Sequence, residues 1–260
     1  MAAAVVFSLG GCVATKYKLA KKDTLPVQLL SVAFPPSGPL QPTLAALIIY
    51  GGPGSWKREA LWDEYVLTLQ NSGGRAVTID SITLTDSAGM EVAAGVDPWA
   101  LEKQSKILEK QYSARGLAFA RTAGPAVLVV GAGAAAAAAT TASVFVSAAA
   151  AGAALAGIVV LPVYYVTVWG INHHNKKAVM TEFTRRLLPL PLTLASGETR
   201  TGSVFYPMVR DPRSLGLQWS SEAGDGKAIL WLDFMHGLHV PAALPASEHA
   251  PQSNRKCCAR

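Results

Sequence analysis

Short runs in which apolar and polar positions alternate dominate both ends of the chain. Val27–Ala33, Leu44–Tyr50, Tyr65–Leu69 and Val77–Thr85 are rich in β-branched and aromatic residues, with the turn clusters FPPSGP (34–39), GGPGS (51–55) and NSGG (71–74) between them. Strands of this length joined by Gly/Pro turns predict an antiparallel β-sandwich. Further strands are expected at Leu192–Leu194, Gly202–Met208, Leu215–Trp219 and Ala228–Phe234, separated by SGETRTG (196–202), RDPRS (210–214) and EAGDG (222–226). They read as completing the sheet begun before residue 95.

The pattern changes at Asp97-Pro98, an N-cap residue followed by a proline suited to the first helical turn. Leu101, Leu108, Tyr112 and Phe119 recur at helical spacing, and Glu102 and Lys106 stand four apart, where a helix would pair them. After Arg121 the charges stop, and they resume at Lys176. A bilayer core takes about 20 helical residues to cross, so this stretch predicts two spans, about 125–147 and 152–171, turning near Ala148–Gly152.

The second span is the more apolar, with Leu155, Ile158, Val159, Val160, Leu161, Val163, Val166 and Val168. It closes on Tyr164, Tyr165 and Trp169 and then Lys176 and Lys177, the aromatic-then-cationic order of a membrane interface. The first span is rich in alanine, and its small residues suit helix packing. Gly131, Gly133, Gly152, Ala156 and Gly157 are the expected contact positions. The competing reading is an Ala-rich hairpin packed in a soluble assembly. Asn172–Leu188 continues as helix, with Val179, Phe183 and Leu187 on one side, ended by Pro189 and Pro191. The two helices flanking the apolar stretch are expected to pair antiparallel as a stalk.

Composition supports the apolar insertion: half of the 260 residues are hydrophobic and 15% are charged. The net charge of +6 is dispersed over Lys16, Lys18, Lys21 and Lys22, over Lys176, Lys177, Arg185 and Arg186, and over Arg255, Lys256 and Arg260. Basic clusters beside apolar segments suit anionic lipid headgroups. No basic stripe interleaved with aromatic residues points to nucleic acid. Cys12, Cys257 and Cys258 give no disulfide framework.

Candidate chemistry is sparse. AVLVVGAGAAA (126–136) has the glycine spacing of a dinucleotide-binding turn, but no acidic residue stands between Glu109 and Glu182 to hold a ribose. LIIYGGPG (47–54) is similar to the oxyanion loop of some α/β-hydrolases, yet the chain has no G-x-S-x-G elbow. Asp233, His236 and His239 are spaced by three, but on the expected strand their side chains diverge. His173/His174 read as interface residues and Asp63/Glu64 as solvated acids at a strand start. No catalytic residue, metal site or cofactor is predicted, and the chain is not expected to be an enzyme.

Two resemblances complete the picture. Leu9-Gly10-Gly11-Cys12, after the apolar run from Ala2, resembles the lipobox of bacterial lipoproteins. The resemblance implies cleavage before Cys12 and its acylation, which holds a soluble domain at a membrane. Val13 in place of an aspartate favours the outer membrane on the same resemblance. No Lys or Arg precedes the apolar run, which leaves room for a start further upstream. The stretch YVLTLQNSGGRAVTIDSITLT (65–85) looks like a strand–turn–strand of an immunoglobulin-like envelope domain. The implied layout is a signal segment (1–11), a tether (12–24), two halves of a β-sandwich (25–95 and 189–238) around a helical hairpin (96–188), and a disordered tail (239–260).

The basic flanks Arg115, Arg121, Lys176 and Lys177 would place the sandwich in the cytoplasm by the positive-inside rule. The lipobox places it in the cell envelope, facing the periplasm, and carries more weight here. The expected role is structural or interaction-based, with membrane lipid, envelope proteins or sister chains as partners. The alternative is a homo-oligomeric pore or translocation component built from the hairpins, and the third reading is an enzyme of unknown type.

Overall fold

A computed structural model of the chain describes residues 17–20, 29–36, 38–52, 54–121 and 162–241, with side chains in the second long helix from His173 onward. Two antiparallel sheets face each other. The first has the strand order β1 (Leu29–Ala33), β2 (Leu40–Ile48), β3 (Trp62–Asn71), β7 (Thr199–Pro207). The second runs β5 (Glu91–Ala93), β4 (Val77–Asp86), β8 (Pro212–Ser221), β9 (Gly224–Trp231), with β6 (Leu192–Leu194) also paired to β4. Two helices complete the described chain, α1 (Pro98–Ala114) and α2 (Pro162–Arg186).

Period-two alternation builds the layer between the sheets. On β3, Tyr65, Leu67 and Leu69 turn inward, and on β7 Val204 and Tyr206 do the same. They meet Val77, Ile79, Ile82 and Leu84 of β4 and Leu215 and Leu217 of β8. The switch from odd to even numbers on β4 follows a register shift between Ile79 and Ser81, a bulge that re-aims the later side chains at the same core. Trp219 lies so close to Gly226 that a Cβ there would meet its ring at 2.1 Å, which explains a glycine inside β9.

Both sheets mix strands from the two ends of the chain. β7 pairs with β3 from Trp62↔Pro207 to Gln70↔Thr199, and β8 pairs with β4 from Val77↔Ser221 to Asp86↔Pro212. The chain therefore leaves the sheets after β5 and rejoins them at β6. α1 starts as expected, with the Asp97 side chain accepting from the Trp99 N–H and Pro98 in the first turn.

A second, smaller apolar cluster forms on the outer face of the first sheet. Phe183 of α2 stacks on Phe205 of β7 (centroids 4.1 Å) and stands edge-on to Trp62 of β3 (6.0 Å). Ala60 and Leu101 of α1 close the cluster. α1 packs on β3 and β7, so the expected antiparallel stalk gives way to two helices each seated on the sheet. The reason is that their apolar residues find the sheet: Leu108 and Tyr112 enter the main core, while Val179 and Phe183 are fully buried.

Several expectations change. The pattern does not predict the three-residue β5, whose side chains are mostly exposed. The region read as strand to Phe234 ends at Trp231, and Asp233–Met235 is a 3-10 turn. Residues read as free tether include Tyr17–Ala20, which bridges to the 56–58 stretch through Leu19↔Lys57 and sets Tyr17 against Trp99. The tail read as disordered from His239 begins with a fully buried side chain.

Among the described residues no helix is long and apolar enough to cross a membrane. Cys12, the first span and its Gly131 and Gly133, and Gly152, Ala156 and Gly157 of the second lie outside the described residues, as does the chain beyond residue 241. Truncating Phe183 removes the central ring of the outer cluster. Phe183→Ala is expected to cost about 3 kcal/mol, read as a lower urea midpoint, with little change expected for the exposed Thr184→Ala.

Candidate functional site: the buried ion pairs at the start of β3

Residues 56–64 lead into β3 and carry three charged side chains with almost no exposure, Lys57, Asp63 and Glu64, each at 1%. Isolated charges in such places cost several kcal/mol each, so every one must be paired. Each is, and each partner comes from a different part of the chain.

Asp63 shares the core-facing side of β3 with Tyr65. Its Oδ2 lies 2.8 Å from Nε2 of His239, which is itself fully buried. The other ring nitrogen, Nδ1, sits 3.0 Å from the Ala120 carbonyl oxygen, and the Ala120 N–H donates to the His239 carbonyl at 2.9 Å. A carbonyl oxygen can only accept, so Nδ1 carries a proton and donates, and Nε2 shares a second proton with Asp63. The His239 ring stacks on Phe119 (5.6 Å), which stacks on Tyr112 of α1 (5.8 Å). Its backbone is held at φ 58, a conformation a histidine adopts when its surroundings enforce it.

Glu64 points to the opposite face. Its Oε1 accepts from the Ser203 hydroxyl at 2.6 Å and from Arg186 at 3.3 Å, and its Oε2 accepts from the Trp56 indole N–H at 2.7 Å. Arg186 also lies over the Trp56 ring at 5.3 Å and bonds Glu182. Lys57 reaches Glu102 of α1 at 2.5 Å and lies over Trp62 at 4.7 Å. Successive strand residues face opposite ways. Asp63 therefore secures the chain leaving α1 at Ala120, while Glu64 secures the end of α2.

The geometry bears on chemistry. With Nδ1 donating and Nε2 committed to Asp63, His239 has no ring lone pair left for a metal or an attacking hydroxyl. His236 instead pairs with Asp211 (3.2 Å) on the surface, and Asp233 lies on the 3-10 turn. Asp233, His236 and His239 thus do not converge, because the turn and separate carboxylates part them. Among the described residues no three metal-binding side chains cluster. Asp63 Oδ1 and the Tyr65 hydroxyl are buried without a protein partner, and burial with Asp63 nearby pushes the Tyr65 pKa well above its ordinary value.

The remaining residues of interest are scattered. Tyr164, Tyr165 and Trp169 belong to α2, but their side chains are outside the described set. Lys176 lies over Tyr17 at 5.0 Å and over Trp99 at 5.6 Å, while Lys177, His173 and His174 are exposed. Sequence reasoning assigned Asp63 and Glu64 to solvent and paired Glu102 with Lys106; in the fold Asp63 and Glu64 are buried and Glu102 serves Lys57. A signal was present: Asp63 falls in register with Tyr65, Leu67 and Leu69, on the face that strand periodicity turns inward. No protein family, curated protein or solved structure matches the chain.

Two expectations test this junction. Asp63→Ala leaves His239 buried without its counter-charge and is expected to cost about 3–5 kcal/mol in denaturant unfolding. The apolar pair Asp63→Leu with His239→Phe should recover most of that loss, whereas additive losses would mean the two groups act separately. A second test uses pH. The guanidinium of Arg185, then that of Arg186, holds the Glu182 carboxyl down from 4.5 to about 2. Its contribution is therefore complete above pH 4.5 and lost as the pH falls toward 2. Hydrogen exchange in the last turn of α2 should rise over that interval in the wild type relative to Glu182→Gln at the same pH.

Proposed function

We propose that the protein is a non-enzymatic, membrane-anchored lipoprotein of the bacterial cell envelope. Its sandwich is tethered through Cys12 and carries the charge-free stretch 122–175 as a helical hairpin. The role is structural: a rigid β body presents an apolar, small-residue hairpin to a membrane or to envelope partners.

The observation that carries this reading is the double clamp on β3. Ala120 is held through His239 to Asp63, and α2 is held through Arg186 to Glu64. A floppy surface loop needs no such investment, since long loops are thermodynamically cheap. Fixing both flanks of an uncharged segment to one strand suits a segment that must leave and return at a set place. The buried charges are consumed in holding these flanks, which fits a scaffold better than a catalyst.

Metabolic palmitate labelling of the full chain tests the anchor. Label is expected in the wild type and absent in Cys12→Ser, with the labelled protein in the membrane fraction. An unlabelled wild type would overturn the lipoprotein reading and leave a cytoplasm-facing protein held by its hairpin.

A further inference from the structure

We infer that the outward face of α1, together with Tyr17 and Lys176, is the surface by which the sandwich lies against an anionic lipid headgroup layer. This rests on the membrane-anchored reading above and adds which face of the body meets the lipid.

Trp99, Lys103, Lys106 and Lys110 recur at spacings of four, three and four, which places them on one stripe of α1. The three lysines are exposed, and beside them Ile107 is 44% exposed. The acids that could neutralise the stripe are already committed: Glu102 to the buried Lys57 and Glu109 to Arg121 at 3.0 Å. The stripe is thus a cationic face with apolar groups set in it, the composition that favours a headgroup layer. Exposed acids on the other sheet include Asp80 on β4, Glu91 on β5 and Asp225 on β9; on the α1 side Glu59, whose carbonyl accepts from Lys57, is also exposed.

Chain continuity places the stripe beside the proposed anchor. At its α1 start, Trp99 meets Tyr17 edge-on at 5.5 Å, and Lys176 caps both rings. Tyr17 follows Cys12 by five residues, a reach of at most about 18 Å when fully extended. Acyl chains on Cys12 would therefore hold the Tyr17 end of the stripe close to the bilayer. At the other end of α1, the uncharged stretch begins just after Arg121. An anchor at one end and an apolar segment at the other leave the basic stripe between two membrane attachments.

Lysine acetylation footprinting of the full chain, reconstituted into vesicles, tests this. One set is phosphatidylcholine alone, and the other contains about a quarter phosphatidylglycerol. Lys103, Lys106, Lys110 and Lys176 should react on the order of tenfold more slowly in the anionic vesicles, with Lys227 on β9 unchanged. In Lys103→Glu/Lys106→Glu/Lys110→Glu, the slowing at Lys176 should disappear. Vesicle-bound protein whose lysines react equally in both lipids would overturn the inference while sparing the anchor, and would assign the stripe to an acidic protein partner. Failure to associate with either vesicle would overturn both.

Discussion

Two carboxylates that follow each other on one strand carry the organisation of this molecule. Because strand side chains alternate, Asp63 and Glu64 are forced to opposite faces of the first sheet. Both faces are covered there, so neither acid reaches water. Each must draw a counter-charge from a remote part of the chain, and the nearest solutions are His239 and Arg186. With Lys57 and Glu102 added, one short stretch fixes α1, α2 and the segment after β9. Apolar replacements would be cheaper in solvation terms, since buried pairs recover their desolvation cost only with good geometry. What the charges add is direction, since each is held by hydrogen bonds of defined geometry to groups far away in the chain.

The apolar contacts around this junction explain why the pairs are dry. Trp56 meets Glu64 and Trp62 meets Lys57, with Phe183 against Trp62 and Phe205 behind it, while Phe119, backed by Tyr112, covers His239. Aromatic rings supply large area with few rotatable bonds, and two of them also supply a face for a cation. The helices are therefore seated by rings first and oriented by charge second.

Much of the β architecture was legible, because it depends on local pattern. Eight of the strands lie where alternation and Gly/Pro turns put them, and Asp97-Pro98 opens α1 as capping chemistry requires. The errors at the junction share a cause: each concerns a partner far away in the chain. Asp63 and Glu64 look like solvated acids until His239 and Arg186 are brought to them. Glu102 looks like half of a local helix pair until Lys57 arrives from 45 residues away. The ordered His239 was hidden for the same reason, since its neighbours Pro241, Ala242 and Ala243 have the composition of a loose tail. Strand alternation puts Asp63 on the same face as Tyr65, Leu67 and Leu69; it does not say that a histidine closes that face.

The pairing of β3 with β7 has a consequence for how the molecule comes into being. Ser203 and Glu64 are 139 residues apart, and every ladder bond between these strands waits for that separation to close. Contacts of such long range slow folding, because the entropy of closure is lost before the contacts form. The β2–β3 pair made early has an open edge until β7 arrives, and the charge-free stretch emerges during that interval. The apolar segment thus meets its surroundings before the sheets that frame it are finished. Order of synthesis puts β6 to β9, and with them the closing of both sheets, after the uncharged segment.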